Sequence, residues 1–461
     1  MRMEGKGAAL LVALLVVAAV LAAIPSCSAA ATTTLPKKPK ASAPPPSVDT
    51  GRRTPSSAVF RLRGNVYPNG AYYTTMNIGN PPKPYYMDVD TGSDITWLQC
   101  DAPCQRCSKV PHPLYKPPKS SLVPCENALC YAVHASIHQK HKCESPGQCD
   151  YEVQYADHGS SIGVLVADAL DLPLINGSTL RSRIAFGCGY DQLFRNPEER
   201  MLTDGVLGLG FGKASILSQL SDSGVIHNVM GHCLSSRGGG YLFLGDGLVP
   251  PSGITWAPKI PFGDSNYYSP GPASLLLGTQ SLGSKLQVVL DSGSSYTYFG
   301  FQPYRDFISA IKKDLSRQPL KDAPDDKSLP LCWKGPRSFR SVLDVKKYFK
   351  PLVLSFGNGR KATMEIPPEN YLIVSKKGNA CLGILNGTEA GLPHDLNVIG
   401  DISLQDLVVI YDNERRQIGW GQANCDRVPN ADRIDGFCQP QFASMGILTE
   451  ECPAYYHSDT V

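Results

Sequence analysis

Two segments with the same layout lie 201 positions apart in this chain of 461 residues. Each has an apolar run, an aspartate, a hydroxyl residue, glycine and serine, in YYMDVDTGSDITWL around Asp90 and in LQVVLDSGSSYTYF around Asp291. A second pair of related segments follows in the same order, DGVLGLGFG from Asp204 and NVIGDISL from Asn397. Weak motifs that recur in order in both halves indicate two related lobes.

The apolar residues before each aspartate predict a buried strand that ends at a tight turn. Glycine permits the turn, and the hydroxyl before it can hydrogen-bond a neighbouring loop. A carboxyl group loses water there, which is costly unless it is paired or shares a proton. If the lobes bring their turns together, Asp90 and Asp291 can share one proton, so that one activates water and the other polarises a carbonyl. The residues expected to support the two turns are Thr91, Gly92, Ser93, Ser292, Gly293 and Ser294.

A third Asp-Thr-Gly, at Asp49 in APPPSVDTGRR, has different surroundings. The stretch from Ala31 to about Ser57 is rich in Pro, Ser, Thr and Lys. It has too little apolar surface to offset the entropy of ordering. We therefore interpret residues 31–65 as a pro-segment or linker, and we expect no catalytic role for Asp49.

Short apolar or alternating runs, bounded by Gly, Pro, Asn and Asp, occupy the chain from Val66 onward. This pattern predicts a mainly β protein. We expect two pseudo-symmetric β lobes with a cleft between them, at residues 66–254 and 255–425, and a C-terminal extension at 426–461. Two helices are expected, within GKASILSQLSDSG and QPYRDFISAIKKDLSRQP.

The N-terminus is typical of a signal peptide. Arg2 and Lys6 precede the apolar run GAALLVALLVVAAVLAAI, and the following SCSAA permits cleavage near Ala29. Residues 1–30 should direct the chain into the secretory pathway, to an extracellular or vacuolar location without stable membrane association after cleavage. An uncleaved signal anchor is the alternative. Asn176 and Asn386 lie in Asn-x-Ser/Thr sequences and are candidate glycosylation sites.

Charge excludes one class of partner. The formal net charge is only +3, and the body of the chain has no long basic block. Nucleic-acid binding is therefore not expected.

Cysteines agree with a secretory route. Fifteen are present, and removal of Cys27 with the signal peptide leaves an even number, which favours disulfides. A zinc site is the alternative, but its ligand spacings match no closed zinc pattern, so no metal or other cofactor is expected. The histidines of this set are interpreted as a solvated face. The candidate ligands are Cys100, Cys104, Cys107, His134, His138, His141 and Cys143.

From about Val66 to Cys425 the chain resembles the pepsin-like aspartic peptidases, and within them the plant nucellin-like enzymes. The resemblance rests on DTGSDITWLQCDAPCQRC, CDYEVQYADHGSSIGVLVAD, VVLDSGSSYTYF, EIPPENYLIVS and NVIGDISLQDLVVIYDNERRQIGWGQANCD. It implies a bilobal fold and a monomeric aspartic endopeptidase that cleaves protein or peptide substrates at acidic pH, with Asp90 and Asp291 as the catalytic pair. An inactive binding or inhibitor protein on the same fold is the alternative.

The same resemblance assigns a mobile hairpin to VQYADHGSSIG. Tyr155 would be the tyrosine of this flap, and Trp97 its hydrogen-bond partner. The family commonly has Gly and Asp-Gly after that tyrosine, where this chain has Ala156, Asp157 and His158. A core aromatic residue on an alternating strand is the alternative interpretation of Tyr155. By resemblance, the cleft should favour bulky apolar side chains beside the cut bond.

The resemblance also implies disulfide pairs, which spacing alone cannot establish. Cys438 and Cys452 lie beyond the matching region and are expected to pair with each other. The other implied pairs are Cys125 with Cys149 nesting around Cys130 with Cys143, Cys100 with Cys104, Cys107 with Cys188, Cys233 with Cys425, and Cys332 with Cys381.

Overall fold

Strands dominate the structure, which confirms the predicted mainly β fold. The computed structural model describes residues 56–143, 147–193, 201–263, 265–357 and 362–429. The signal peptide, Asp49, Cys438, Cys452 and the extension from residue 430 lie outside the described residues. No helix within the described ranges is long and apolar enough to cross a membrane.

In the first half of the chain, the described strands are β1 (Ala58–Asn65), β2 (Ala71–Ile78), β3 (Lys83–Asp90), β4 (Trp97–Gln99), β5 (Asp150–Gln154), β6 (Ser160–Pro173), β7 (Thr179–Leu193), β8 (Gly205–Gly208), β9 (Val229–Leu234) and β10 (Gly240–Leu244). In the second half they are β11 (Thr255–Pro258), β12 (Tyr268–Leu277), β13 (Gln280–Leu290), β14 (Thr297–Phe299), β15 (Lys321–Asp322), β16 (Cys332–Lys334), β17 (Leu352–Phe356), β18 (Ala362–Ile366), β19 (Leu372–Val374), β20 (Ala380–Leu382), β21 (Ile384–Asn386), β22 (Leu396–Ile399), β23 (Leu407–Asp412) and β24 (Gln417–Gln422). The helices are α1 (Ala128–Ser136), α2 (Ile216–Asp222), α3 (Phe301–Leu315), α4 (Val342–Val345) and α5 (Asp401–Leu404).

These strands form three sheets. The largest has thirteen strands in the order β11-β24-β23-β9-β10-β1-β2-β3-β8-β4-β7-β6-β5. A seven-stranded sheet has the order β18-β17-β12-β13-β22-β14-β21, and a four-stranded sheet has the order β15-β16-β20-β19. Strands β11, β23 and β24 of the second half thus pair within the large sheet, so the expected division at residue 254 does not separate the sheets.

The two halves repeat one strand arrangement. β3 runs parallel to β8 with Asp90 opposite Gly208, and β13 runs parallel to β22 with Leu290 opposite Ile399. In each half a short strand then pairs with both neighbours: β4 with β7 and β8, and β14 with β21 and β22. The repeated sequence motifs therefore correspond to repeated structure, as predicted.

The linker is shorter than the predicted 31–65, because its last eight residues form β1. This strand pairs with β2 and β10, and Ala58 and Val59 are fully buried. Before it, the backbone N–H of Ser56 donates to the Val225 carbonyl at 2.9 Å. The sequence of this strand is not a continuous apolar run, because the exposed Arg61 and Arg63 alternate with buried residues along it.

Two of the helices lie where the sequence predicts them. α2 falls within GKASILSQLSDSG, and α3 buries Phe307, Ala310 and Ile311 at helical spacing. α1 was not predicted. Its start is capped by Asn127, whose side chain accepts a hydrogen bond from the Leu129 N–H at 2.9 Å.

Disulfides join all twelve described cysteines, and four of the implied pairs are wrong. The parallel pairing of β4 with β7 places Cys100 beside Cys188, so these two form a bond and leave Cys104 to bond Cys107. α1 carries Cys130 to Cys149, and Cys125 bonds Cys143. The implied pairs Cys233–Cys425 and Cys332–Cys381 are present.

Two surface expectations need correction. His134 is only 6% exposed, because its ring packs at α1 against the Asp150 carbonyl, so it does not belong to a solvated face. Asn386 is only 9% exposed, so it does not lie on an open surface as expected of a glycosylation site. Asn176 is exposed and remains a candidate.

Disulfide removal should affect stability according to the length of chain that each bond closes. Cys233 and Cys425 are 192 positions apart, whereas Cys104 and Cys107 are three apart. Because longer loops restrict the unfolded chain more, we expect Cys233→Ser with Cys425→Ser to lower the free energy of unfolding by about 3–5 kcal/mol. The matched Cys104→Ser with Cys107→Ser variant should lose much less. Denaturant titrations of both variants check this, and equal losses would contradict it.

Candidate active site

Each Asp-Thr/Ser-Gly-Ser turn holds its own aspartate by two hydrogen bonds. In the first turn, the Gly92 N–H donates to Asp90 Oδ1 at 2.8 Å and the Ser93 hydroxyl donates to Asp90 Oδ2. In the second turn, the Gly293 N–H donates to Asp291 Oδ1 at 2.9 Å and the Ser294 hydroxyl donates to Oδ2 at 2.7 Å. The two carboxyl groups therefore receive equivalent hydrogen bonds from their own turns, as the repeated sequence predicts.

Reciprocal hydrogen bonds join the two turns. The Thr91 N–H donates to Ser292 Oγ at 3.2 Å, and the Ser292 N–H donates to Thr91 Oγ1 at 2.9 Å. The Ser292 hydroxyl donates to the Val89 carbonyl at 2.7 Å, and the Thr91 hydroxyl donates to the Leu290 carbonyl at 3.3 Å. Thr91 and Ser292 are buried, so water cannot replace these bonds.

The joined turns bring the carboxyl groups of Asp90 and Asp291 within hydrogen-bonding reach of each other. Glycine is required on both sides of the pair. A Cβ at Gly92 would lie 2.5 Å from Asp291 Oδ1, and a Cβ at Gly293 would collide with Asp90 Oδ1. The glycines therefore allow each turn to approach the opposite carboxyl group.

Burial and mutual repulsion change the acidity of this pair. Burial raises the pKa of Asp90 well above its usual range, and the nearby Asp291 raises it further, against the opposing effect of the Ser93 hydroxyl. Burial also raises the pKa of Asp291, while hydrogen bonds from Ser294 and Gly293 oppose that rise. Such a pair retains a proton when isolated carboxyl groups would be ionised, so it can supply both an acid and a base.

Two further carboxyl groups act on this pair and were not predicted: Asp401, which is buried, and Asp88, which is half-buried. Asp88 Oδ1 is buried without a hydrogen-bond partner among the described residues, and the same holds for both carboxyl oxygens of Asp401. Burial and Asp291 raise the pKa of Asp88 to about 7. Burial, followed by repulsion from Asp88 and Asp291, raises the pKa of Asp401 well above its usual range. The alternation of β3 could have revealed Asp88, because residues 88 and 90 share a strand face.

The paired carboxyl groups lie in a cleft of about 1190 Å³. Its walls come from both halves of the chain and include Trp97, Tyr155, Tyr267, Tyr298 and Leu392. A cleft of this size, with acid/base groups on its floor, suits an extended ligand better than a small molecule.

Tyr155 has the hydrogen-bond partner that the sequence predicts, which is Trp97. The Trp97 ring N–H donates to the Tyr155 hydroxyl at 2.6 Å. Tyr155 begins the turn between β5 and β6, where its N–H donates to the Gly159 carbonyl at 2.8 Å and His158 has a positive φ of 70°. Asp157 Oδ1 accepts the Gly159 N–H at 2.9 Å and closes the turn. Tyr155 thus lies on a hairpin that lines the cleft.

The zinc alternative is not supported by the chemistry of its ligands. Cys100, Cys104, Cys107 and Cys143 are all bonded in disulfides, so none offers a thiolate to a metal. His134 Nδ1 and His141 Nδ1 lie 3.0 Å apart and hydrogen-bond each other.

A bilobal β fold with two joined Asp-Thr/Ser-Gly turns is the arrangement of the pepsin-like aspartic peptidases. Two family models match the chain, Xylanase inhibitor N-terminal at residues 72–246 and Xylanase inhibitor C-terminal at residues 272–422. An aspartic proteinase of Oryza sativa subsp. japonica is 47% identical over 82% of this chain and 94% of its own. Aspartic proteinase 39 of Arabidopsis thaliana is 30% identical over 77% of this chain and 75% of its own. The chain therefore belongs to the plant family of pepsin-like aspartic peptidases.

Solved structures agree on the fold. Basic 7S globulin from soybean superposes with a TM-score of 0.64 at 16% identity and covers 80% of this chain and 96% of its own. The aspartic proteinase from Irpex lacteus superposes with a TM-score of 0.56 at 16% identity. The match covers 80% of this chain and 98% of the Irpex lacteus chain. At this identity the likeness concerns the fold alone.

The half-buried Asp88 should make stability depend on pH. Its pKa is about 7 in the folded protein against 3.8 for the free side chain, so the folded state binds the extra proton between these values. The stability contributed by this proton is present below the unfolded pKa and is lost as the pH rises through about 7. We expect Asp88→Asn to be more stable than wild type at pH 8 by on the order of 1–3 kcal/mol, with little difference at pH 4.

Thermal unfolding of both proteins across this pH range measures the effect. Asp222→Asn, at an exposed helix end, is the matched control and should follow the wild-type pH curve. A wild-type advantage over Asp88→Asn that grows toward pH 8 would show that Asp88 is ionised and stabilised in the fold.

Proposed function

We propose that this protein is an aspartic endopeptidase in which Asp90 and Asp291 are the catalytic acid/base pair. The observation that carries the proposal is the reciprocal hydrogen bonding of Thr91 and Ser292, which holds two buried carboxyl groups in contact at the floor of a long cleft. Two carboxyl groups in contact favour a single shared proton.

In the proposed reaction the ionised carboxylate takes a proton from a water molecule bound between the pair. The protonated partner donates a hydrogen bond to the carbonyl oxygen of the peptide bond, and the water oxygen attacks the carbonyl carbon. The C–N bond of the resulting tetrahedral species breaks as a carboxyl proton moves to the nitrogen. No metal takes part in this sequence, so chelators should not change the rate.

Activity should be highest at acidic pH. The sequence of proton transfers needs one proton on the pair, and a rise in pH that removes this proton leaves no acid for the carbonyl oxygen. Burial raises the pKa of both aspartates, so the working range extends upward from that of ordinary carboxyl groups.

Tyr155 is proposed to close the cleft over the substrate, held in place by Trp97. The hairpin position of Tyr155 and its hydrogen bond at 2.6 Å support this role. A tyrosine inside the core would instead sit away from the cleft wall, which Tyr155 lines.

The proposed route is secretory. We propose that residues 1–30 are removed as a signal peptide, that the protein reaches an extracellular or vacuolar location as a zymogen, and that Asn176 is glycosylated. Removal of the pro-segment should occur before Ser56, because Ser56 bonds to Val225 and Ser57 accepts the Gly247 N–H at 2.9 Å. The mature enzyme is proposed to act as a monomer.

A binding protein without activity is the second candidate. Both matching family models carry the name of a xylanase inhibitor, and one superposed structure is a soybean 7S globulin. The complete pair of turns around Asp90 and Asp291 favours the peptidase over this candidate.

Substitution of either aspartate tests the proposal. We expect Asp90→Asn and Asp291→Asn each to lower kcat/KM for a peptide substrate by roughly 10³-fold or more, since an amide can neither take nor give the required proton. Hydrolysis is measured at acidic pH with the processed protein, after circular dichroism has shown matching folds. A statine-type mimic of the tetrahedral species should inhibit the wild type.

Asp222→Asn serves as the matched control, because this aspartate is exposed at the end of α2. It should retain the wild-type rate. Undiminished turnover by Asp291→Asn would overturn the assignment of the pair, and inactive wild type that still binds peptides would favour the binding protein.

Loss of the Tyr155 hydroxyl should have a smaller effect. Tyr155→Phe removes the hydrogen bond from Trp97 but keeps the ring, so we expect kcat/KM to fall by roughly tenfold, which corresponds to one hydrogen bond. Trp97→Phe should cost about the same, and the double variant should cost no more than either alone. Fully additive losses in peptide hydrolysis would argue that the two residues act separately.

A further inference from the structure

Acidic residues dominate the charge of the cleft. Among the described residues that line it, seven have a carboxyl side chain and none is lysine or arginine, although the whole chain has a net charge of +3. His138 and His158 are the other titratable side chains besides tyrosines. The seven acidic residues are Asp88, Asp90, Asp94, Glu152, Asp157, Asp291 and Glu389.

Most of these carboxyl groups already have a defined partner. Asp94 accepts hydrogen bonds from the Gly212 N–H and from Asn266, and Asp157 accepts the Gly159 N–H. Glu389 is exposed at the rim, and Glu152 accepts a bond from Gln154. Asp88 differs from them, because it is partly exposed in the cleft while its Oδ1 is buried and has no partner within the described part of the chain.

Asp88 lies on the cleft floor beside the catalytic pair. It is two residues before Asp90 on β3, so both side chains leave the same face of the strand. Across the sheet Asp88 is opposite Val206 of β8, and Val206 is opposite Trp97 of β4. All four residues line the cleft. A substrate side chain next to the cleaved bond would therefore come close to the Asp88 carboxyl.

The charged groups that act on Asp88 are all carboxyl groups. Asp291 lies across the cleft floor, Asp90 follows on the same strand, and Asp401 approaches from α5. On the adjoining strands Asp88 is opposite Tyr73 and Val206, neither of which is charged. Arg63 of β1 donates to the Tyr86 hydroxyl at 2.9 Å. Asp88 is partly exposed and lines the cleft, so a cation bound beside its carboxyl group would relieve this repulsion.

We infer that Asp88 is a specificity residue that binds the ammonium or guanidinium group of a lysine or arginine side chain, so that the cleft selects basic peptides. The inference rests on the proposed function, because it assigns a substrate class to the same cleft. It departs from the expectation of bulky apolar side chains beside the cut bond. The aliphatic stem of lysine or arginine can still pack on Val206 and Trp97 while its charged end reaches the carboxyl group.

Proton linkage gives this selection a pH dependence. The pKa of Asp88 is about 7 in the free protein, so the group is mostly neutral at pH 4. A bound cation favours the ionised form, and binding therefore releases a proton in acid. The preference for lysine over an uncharged side chain should then increase between pH 4 and pH 7.

The test uses two sets of peptides that differ only by lysine or norleucine at one position near the cleavable bond. Each position on either side of that bond is varied in turn. A second series carries a reduced, non-cleavable bond, and its binding is measured by calorimetry. At the best position and pH 6.5 we expect wild type to prefer lysine at least roughly tenfold in both kcat/KM and Kd. Asp88→Asn should bring this ratio close to one.

Glu389→Gln is the matched control, because Glu389 lines the same cleft but is exposed. Glu389→Gln should keep the lysine preference. Wild type should also keep it in 0.5 M salt, because salt screens exposed charges much more than buried ones. An equal loss of preference in Glu389→Gln and Asp88→Asn would overturn the inference in favour of a diffuse field. A norleucine preference at every position, or an unchanged ratio in Asp88→Asn, would also overturn it.

The binding series separates this inference from the proposed function. If wild type cleaves no peptide, the endopeptidase proposal fails, but the reduced-bond peptides still report whether Asp88 selects lysine. If hydrolysis proceeds without lysine preference, the proposed function stands and the inference fails. Circular dichroism of the Asp88→Asn protein confirms that its fold is retained.

Discussion

The structure depends on the hydrogen bonds that cross between Thr91 and Ser292. Two buried carboxyl groups repel each other when ionised, and these bonds hold the turns together despite that repulsion. The hydroxyl of each residue accepts from the opposite backbone N–H and donates to the carbonyl that precedes the opposite aspartate. All polar atoms of the crossing are therefore satisfied among themselves, so the arrangement needs no solvent.

The sheets bring these turns to one place. Each turn follows a strand that pairs in parallel with a second buried strand, β3 with β8 and β13 with β22. The strand ends pack through buried apolar residues, which are Met87, Val89, Leu207, Val288, Leu290 and Ile399. The strand ends are thereby fixed on a rigid core, while the hairpin at Tyr155 stands outside it. Rigid support under the carboxyl groups and a hairpin above them suit a site that must admit a peptide and then enclose it.

Features that depend on neighbouring residues alone, such as turns and strand faces, could be predicted from the sequence. The turn sequence around Asp90 and Asp291 fixes backbone geometry within a few residues, and alternation fixes strand faces, so the turns, most strands and α3 could be derived from the sequence. Disulfide partners depend on tertiary register instead: Cys100 meets Cys188 only because β4 lies beside β7. β1 was missed because Arg61 and Arg63 interrupt its apolar pattern. The burial of Asn386 follows from the packing of β21, which the Asn-Gly-Thr sequence does not encode.

The carboxyl groups of Asp88 and Asp401 affect both the stability of the fold and the chemistry of the cleft. Neither is needed to hold the turns together. Each has at least one buried oxygen without a partner among the described residues, so both lower the stability of the folded protein whenever they are ionised. A hydrophobic residue at either position would remove that cost. Their presence brings four carboxyl groups close enough to raise one another's pKa, three of them in the cleft lining, which retains protons there and attracts positive charge. Destabilising charge at a cleft is typical of a site organised for ligand chemistry, since the same unsatisfied group that weakens the free protein strengthens its hold on a complementary substrate.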